Sequence, residues 1–258
     1  MHDAAEVVVI GLGQLGRVFA GGLLRAGDTV VPVNRGDDMD IVAARHPEAV
    51  LVLVAVAEGD LHTVLKNLPP DWRGRIGLLQ NELLPRDWLA HGIEAPTVVS
   101  VWFEKKRGID AKPLLPSPVY GPQAQRLAKA LAAIELPARV VADADAMLWE
   151  LVRKNVYILT TNIAGLVVGG DVGTLWERQR ELAEAIALEV MDIQEALIGR
   201  GLDRMELMQG MLEAFAADPR HQCAGRSAPA RLERALAHAD AAGLKVPSLR
   251  LIAQRFRS

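Results

Sequence analysis

The chain has 258 residues, half of them hydrophobic, and a formal net charge of −3. This length is enough for two domains of ordinary size, and the slight negative charge argues against a nucleic-acid-binding surface. The single cysteine, Cys223, excludes an intrachain disulfide and a zinc site made of thiolates, and the six histidines lack metal-ligand spacing. The apolar segment 49–57 is too short to cross a bilayer. We therefore expect a cytoplasmic protein that uses no metal, membrane or nucleic acid.

A glycine-rich turn follows the first strand-like segment, 7–10, and leads into a helical segment that ends at Gly27. Strand, glycine turn and helix in this order form the arrangement that cradles a dinucleotide pyrophosphate. The first glycine allows the tight turn, the second lets a phosphate approach the backbone, and the third lets the helix pack close to the strand. The alternative to a dinucleotide site is a glycine turn that only packs a helix on a sheet. The residues predicted to bind the cofactor are Gly11, Leu12, Gly13, Gln14, Leu15 and Gly16.

The second predicted strand, 29–33, is followed by Asn34 and Arg35. A site for NAD usually has a carboxylate here to hold the ribose 2′-hydroxyl, whereas a guanidinium pairs with a 2′-phosphate. Asn34 and Arg35 are therefore predicted to bind the cofactor and to favour NADP(H). An ordinary solvated cation is the alternative for Arg35. Three nearby aspartates count against NADP(H), because a carboxylate repels a 2′-phosphate. We assign these residues to a loop and a helix cap: Asp37, Asp38 and Asp40.

The rest of the first half alternates apolar strand-like segments with helical ones, including a helix at 60–67. Further strands are predicted at 49–56, 76–79 and 97–101, and their nearly continuous apolar character is typical of a parallel sheet covered on both faces. Residues 103–120 carry three prolines and are predicted to form antiparallel edge strands. A helix from Gly121-Pro122 to about residue 134 and a last strand at 138–141 follow.

The second half is predicted to be helical, with helices at 144–168, 174–199, 205–216, 228–242 and 248–256. The whole pattern predicts an α/β fold class. A Rossmann-type doubly wound sheet, residues 1–142, is followed by an all-α C-terminal domain, residues 143–258. A cleft between two such domains is a preferred place for a small molecule to bind.

The helix at 144–168 carries a lysine among leucines, valines and isoleucines. Lys154, Ile158, Thr161 and Asn162 fall on one helical face, and the first and last of them are about 12 Å apart along the axis. That length is the scale of a small polyfunctional substrate. Burying an unpaired ammonium is costly, so a lysine that extends to solvent is the alternative to a functional one.

Three stretches together resemble the ketopantoate reductase family: the glycine turn, Tyr120-Gly121-Pro122 before a helix, and the helix that carries Trp149, Lys154 and Asn162. The resemblance extends from residue 7 to residues 243–247. It implies a Rossmann domain followed by a helical domain, and reduction of a 2-keto group with NADPH. It also implies that Lys154 is the catalytic general acid, that Asn162 binds substrate, that Asn81 contacts cofactor and substrate, and that Arg35 holds the 2′-phosphate.

The chain departs from the family pattern at several positions. Ser227 replaces a glutamate that grips the substrate hydroxyl, and residues 55–58 lack a lysine found after the third strand. Ile158 replaces a second asparagine on the lysine helix, and Glu82-Leu83-Leu84 replaces a Gly-Met-Gly segment. The lost polar partners predict a substrate other than ketopantoate, with Ser227 in its binding site.

The polar residues around Ser227 have two interpretations. With His221, Gln222 and Arg226 they form either a different substrate-recognition set or a polar loop between helices. Nothing near Cys223 in the sequence marks its thiol as activated.

The sequence thus supports several functions. The first is an NADPH-dependent oxidoreductase that reduces the carbonyl of a small 2-keto acid-like substrate with Lys154. The second is a non-catalytic NADP(H)-binding sensor or partner-binding protein. A relative of 3-hydroxyacid or 6-phosphogluconate dehydrogenases ranks third, because the glycines at 165, 169 and 170 do not match the glycine-rich segment expected near the lysine of those enzymes. A homodimer is a further expectation.

Overall fold

A computed structural model describes residues 4–105 and 108–257. The contacts of the chain divide it into two compact units, Met1–Leu151 and Val152–Ser258. The division falls inside a long helix. The domain limits 1–142 and 143–258 stay a prediction.

The first unit alternates strands with helices, as predicted, and short 3-10 helices cover Glu58–Asp60 and Pro70–Arg75. Its elements in chain order are β1 (Glu6–Ile10), α1 (Gln14–Ala26), β2 (Thr29–Val33), α2 (Met39–Arg45), β3 (Leu51–Val54), α3 (Leu61–Lys66), β4 (Ile76–Leu78), α4 (Pro85–Leu89), β5 (Thr97–Val99), β6 (Phe103–Glu104), β7 (Lys112–Pro113), β8 (Ser117–Tyr120), α5 (Ala124–Ala132), β9 (Ala138–Val140) and the start of α6 (Ala144–Val168).

The main sheet has the strand order β2-β1-β3-β4-β5-β8-β9 within the described residues. Its first five strands in this order are parallel, and Ile10 at the end of β1 lies beside Val33 of β2 and Val54 of β3. The chain passes from β1 to β2 on one side and returns to β3 on the other. The carboxyl ends of β1 and β3 therefore form the switch point at which open α/β sheets bind ligands.

Both faces of the sheet are covered, as the apolar strands predicted. Alternate residues of each strand enter opposite clusters, so that Val8 and Val52 pack on one face and Val7 and Leu51 on the other. The first cluster includes side chains from α3 and from the start of α6, and the second includes side chains from α1 and α5. The predicted α/β fold class is confirmed.

The prediction for residues 103–120 is only partly right. Strands β6 and β7 pair antiparallel in a separate ribbon, but β8 lies inside the main sheet, antiparallel to β5 and parallel to β9. The edge of the sheet is β9, because the buried strand β8 takes a partner on each side: Val119 pairs with both Val99 and Val140.

The second unit is helical, as predicted. It contains the remainder of α6, followed by α7 (Val172–Arg178), α8 (Arg180–Ile198), α9 (Arg204–Ala217), α10 (Ala228–Ala241) and α11 (Pro247–Arg257). The single helix predicted at 174–199 is wrong, because the chain breaks at Gln179, whose φ of −136° and ψ of 36° are not helical. Neither glycine nor proline marks this break. Trp176 beside it packs edge-on against Phe215 of α9, so tertiary packing decides the bend.

No helix in the described ranges is long and apolar enough to cross a membrane. The same residues contain no group of three or more histidine, cysteine, aspartate or glutamate side chains arranged to hold a metal ion.

Candidate functional site

The glycine turn of the first unit joins β1 to α1 at the switch point of the sheet. Gly11 has a φ of +90°, a conformation that glycine adopts without strain, and its N–H donates to the carbonyl oxygen of Val33 (2.8 Å). A Cβ on Gly16 would lie 2.0 Å from the carbonyl oxygen of Gly11. The turn can therefore close against the helix only because residue 16 has no side chain.

Gly13 lies in the middle of the turn and is the N-cap of α1. It is exposed, a Cβ built on it would meet nothing within 4 Å, and no side chain caps this helix among the described residues. Open space beside the backbone at a helix N-terminus suits a phosphate group, which accepts hydrogen bonds from backbone N–H groups and interacts favourably with the helix dipole. The residues present thus fit a dinucleotide cofactor.

The loop after β2 presents Arg35 to solvent. Its side chain is 95% exposed, and its Nη2 atom lies 3.6 Å from a carboxylate oxygen of Asp60. The neighbouring aspartates do serve the loop and the helix cap, as predicted. Asp37 accepts from the N–H of Asn34 (2.7 Å), and Asp38 caps α2. Both carboxylates are engaged in local structure.

Asn81 follows β4 and donates through Nδ2 to Oε1 of Glu58, at 2.8 Å. Glu58 stands in the segment after β3 where the family pattern has a lysine. Gln80, which is buried, ties the ends of β3 and β4 together by donating to the carbonyl oxygens of Val54 and Val56. Glu82 has a φ of +62°, which costs energy for a residue with a side chain and coincides with the first glycine of the Gly-Met-Gly segment of the family.

These residues of the first unit share one location. The glycine turn, Asn34 and Arg35, Glu58, and Asn81 follow the carboxyl ends of β1, β2, β3 and β4, which are neighbours in the sheet. A separate cavity of about 340 Å³ lies at the opposite, amino ends of the strands and is lined by Val50 and Ile76 among others. The predicted cofactor-binding residues thus lie at the carboxyl edge, which is where open α/β sheets bind ligands.

The part of α6 that belongs to the second unit carries an unusual run of buried polar side chains. Lys154 is buried, with 7% of its surface exposed. Arg153 donates to the carbonyl oxygen of Gly210 and pairs with Glu213, and Asn155 donates to Gln194. This helix therefore buries several polar groups.

Asn162, one of the predicted substrate ligands, is held by other parts of the second unit. Its Oδ1 accepts a hydrogen bond from Nη1 of Arg231 (2.7 Å), and its Nδ2 donates to the carbonyl oxygen of Cys223 (3.0 Å). Thr161 donates to the carbonyl oxygen of Tyr157 on its own helix. Ser227 is exposed and is the N-cap of α10, and its carbonyl oxygen accepts a hydrogen bond from the N–H of Arg231.

The segment that contains Cys223 packs closely on α6. A Cβ on Gly165 would come within 2.8 Å of the Cβ atoms of Cys223 and Ala224, and the N–H of Cys223 donates to the carbonyl oxygen of Gly170. The thiol is fully buried, and desolvation, reinforced by the charge of Asp171, raises its pKa to about 11. The thiol is therefore not activated, in agreement with the sequence.

Sequence reasoning missed two residues of these clusters. Arg231 was not singled out, although a cation next to Leu232 in a helix with apolar positions gives the same signal that drew attention to Lys154. Glu58 was noted only as the place where a lysine is missing. Its contact with Asn81 joins residues 23 positions apart, and the sequence carries no local sign of it.

Comparisons with known proteins identify solved structures that share this architecture. No family model matches the sequence, and no curated protein matches it. Among solved structures, a probable 2-dehydropantoate 2-reductase from Bacillus subtilis is similar with a TM-score of 0.71 and 15% identity over 98% of this chain and 99% of that one. A PanE/ApbA family ketopantoate reductase from Ralstonia eutropha gives 0.68 and 18% over 98% and 97%. D-mandelate dehydrogenase, in a ternary structure with NADH and anilino(oxo)acetate, gives 0.66 and 14% over 98% and 97%.

These likenesses cover nearly the full length of each chain, but every identity is below a fifth. They therefore show a shared fold. The resemblance drawn from the glycine turn and the lysine helix is confirmed at this level: the chain has the fold of ketopantoate reductase family structures, a Rossmann-type sheet followed by a helical C-terminal region.

Proposed function

We propose that this chain is an NADP(H)-dependent oxidoreductase that reduces the carbonyl group of a small 2-keto acid. The observation that carries the proposal is the glycine turn, in which Gly13 leaves open space at the start of α1. A backbone cradle of this kind takes a pyrophosphate. The fold shared with structures described as ketopantoate reductases and as D-mandelate dehydrogenase supports 2-keto acid chemistry.

The cofactor would be held by the turn from Gly11 to Gly16 together with Asn34, Arg35 and Asn81. When bound in its reduced form, it supplies a hydride. The mandelate dehydrogenase structure contains NADH, whereas here an exposed guanidinium follows β2 and favours a 2′-phosphate. Dissociation constants for NADPH and NADH test this choice, and equal values would contradict the role of Arg35.

Lys154 is the general acid of the proposed reaction. The carbonyl carbon accepts the hydride, the carbonyl electron pair moves to the oxygen, and the Lys154 ammonium gives that oxygen a proton. The product is a 2-hydroxy acid, and solvent returns the proton to the amine. As the resemblance implies, we propose Asn81, Asn162 and Ser227 as the substrate-binding residues.

A panel of 2-keto acids, ketopantoate included, with NADPH oxidation followed by absorbance, tests the proposal. Lys154→Ala should lower kcat by about 10²- to 10⁴-fold, the usual contribution of a general acid, and should leave the dissociation constant of NADPH within a factor of about two. The exposed Lys66 provides a control, because Lys66→Ala removes the same kind of charge and should leave kcat unchanged. Full turnover by Lys154→Ala would refute the assignment.

A non-catalytic NADP(H)-binding protein is the second candidate. It is favoured by the engagement of Asn162 with the protein at both ends of its amide, and by the hydrogen bond that ties Asn81 to Glu58. Tight NADPH binding without oxidation by any member of the panel would select this candidate.

A homodimer and a cytoplasmic location also stay predictions. Exposed apolar side chains on α8 and α11, Leu188, Leu251 and Phe256, are the kind of surface that a second subunit covers. Light scattering tests the oligomeric state directly.

A further inference from the structure

We propose that the first unit has a second small-molecule site, at the amino ends of its parallel strands, which binds an α-amino acid with an apolar side chain. The cavity at that edge of the sheet measures about 340 Å³, which is within the size range of small-molecule sites. All the residues that line it belong to the first unit, and the predicted cofactor-binding residues lie at the opposite, carboxyl edge. The site therefore goes beyond the proposed reductase function and does not depend on it.

The first support is the arginine that lines the cavity. Arg75 is partly buried, and its Nη1 donates to the carbonyl oxygens of Pro47 (2.5 Å) and Ala49 (2.9 Å). These two bonds fix the guanidinium, whereas its Nε and Nη2 donate to no other group among the described residues. Nε–H and the adjacent Nη2–H form the side of the guanidinium that matches a carboxylate with two parallel hydrogen bonds.

The second support is a carboxylate in the same cavity. Glu48 also lines the cavity, and in the described part of the chain it forms no hydrogen bond or ion pair, either with Arg75 or with another group. A cation and an anion that line one cavity without pairing suit a ligand that carries both charges. The carboxylate of an α-amino acid would pair with Arg75, and its ammonium group would lie toward Glu48.

The third support is the rest of the cavity wall. Thr97, at the start of β5, is 2% exposed, and its Oγ1 accepts a hydrogen bond from the N–H of Gln123 (2.9 Å). The hydroxyl hydrogen of Thr97 donates to none of the described residues, so it is available to a ligand oxygen. Apolar residues complete the wall and would contact an apolar side chain: Val50, Ile76, Ala95 and Pro122.

Three probes that share a carbon skeleton test the inference by titration calorimetry of the whole chain. L-Norvaline carries both charges, pentanoate lacks the ammonium group, and butylamine lacks the carboxylate. Wild-type protein should bind L-norvaline, and it should bind pentanoate about two- to fivefold more weakly because only an exposed charge contact is lost. Butylamine should bind about 10- to 100-fold more weakly than L-norvaline, because it loses the charge-assisted bonds to the guanidinium. Absence of L-norvaline binding, or equal affinity for butylamine, would overturn the inference.

Glu48→Gln locates the ammonium group. Because Glu48 is exposed and has no partner among the described residues, this variant should fold like wild type. It should weaken L-norvaline binding about two- to fivefold and leave pentanoate binding unchanged, since pentanoate has no charge for Glu48 to contact. Glu233→Gln, an exposed position on α10 outside the cavity, is the matched control and should change neither affinity. Equal L-norvaline affinity in Glu48→Gln and wild type would place the amino acid elsewhere and overturn the inference.

Arg75→Lys locates the carboxylate. Lysine keeps the charge and can still donate to the two carbonyl oxygens, but it lacks the second edge of the guanidinium. The affinities for L-norvaline and pentanoate should both fall by about tenfold or more. Unchanged affinities would overturn the inference, and if Arg75→Lys does not fold, the three probes on wild type and Glu48→Gln decide. None of these measurements uses turnover, so the amino acid site stands or fails separately from the reductase function.

Discussion

Replacing Gly16 by alanine should damage both the fold and nucleotide binding. The added Cβ would lie 2.0 Å from the carbonyl oxygen of Gly11, a full 1.0 Å inside the 3.0 Å limit that real Cβ atoms respect. Both sides of this contact are backbone, so no rotamer change relieves it and either the turn or α1 must move. Overpacking costs about 1–3 kcal/mol where side chains can adjust, and we expect the upper end of that range or more here.

The same helix provides two matched controls. A Cβ on Gly21 meets nothing within 4 Å, so Gly21→Ala should stabilise the protein by about 0.5–1 kcal/mol through the higher helix propensity of alanine. A Cβ on Gly22 would lie 2.4 Å from the carbonyl oxygen of Ala130 in α5, away from the turn. Gly22→Ala should therefore destabilise the protein while nucleotide affinity changes little.

Urea unfolding and NADPH titration of the three variants read out these effects. The expected order of unfolding midpoints is Gly21→Ala above wild type, with Gly16→Ala and Gly22→Ala below. NADPH affinity should fall by at least about tenfold only for Gly16→Ala, because that clash moves the backbone that would contact phosphate. A Gly16→Ala protein as stable as wild type, with unchanged affinity, would refute the reasoning about the turn.

Three further predictions concern other parts of the chain. Glu189 of α8 accepts hydrogen bonds from N–H groups in the first turn of α11, so Glu189→Gln should lower the free energy of unfolding in urea by about 1–3 kcal/mol. Glu184, also on α8, forms an exposed ion pair, and Glu184→Gln should cost less than about 0.5 kcal/mol. Equal losses for the two variants would contradict the capping role of Glu189. Burial raises the pKa of Cys223 to about 11, so the stability gained from the neutral thiol should be complete below about pH 8.5 and lost as the pH rises toward 11. A stability difference from Cys223→Ala that is constant over that range would contradict this. Asp60→Asn removes the carboxylate beside Arg35 and should tighten NADPH binding by about two- to fivefold without affecting NADH, as paired titrations would show.

The fold could be predicted from the sequence where local patterns and tertiary structure agree. All five strands predicted from apolar runs in the first hundred residues lie within about two residues of their observed ends, and the helix that carries Lys154 matches in full. The errors occurred where packing overrides local signals. The break at Gln179 has no glycine or proline, and β8 is an internal strand because two neighbours pair with it.

The candidate site could be predicted only in part, because residue types are visible in a sequence and hydrogen-bond partners are not. The glycine turn was predictable, because the strand–turn–helix order requires glycine at these positions for local steric reasons. The contact between Asn81 and Glu58 joins the ends of two strands that are adjacent in space and distant in sequence. Only the register of the sheet brings them together.

Asn162 shows how far a role can be carried over from a distant family. The helix that carries Asn162 has the predicted bounds. The role does not follow automatically, because the amide that would grip a substrate already holds Arg231 and the backbone of Cys223.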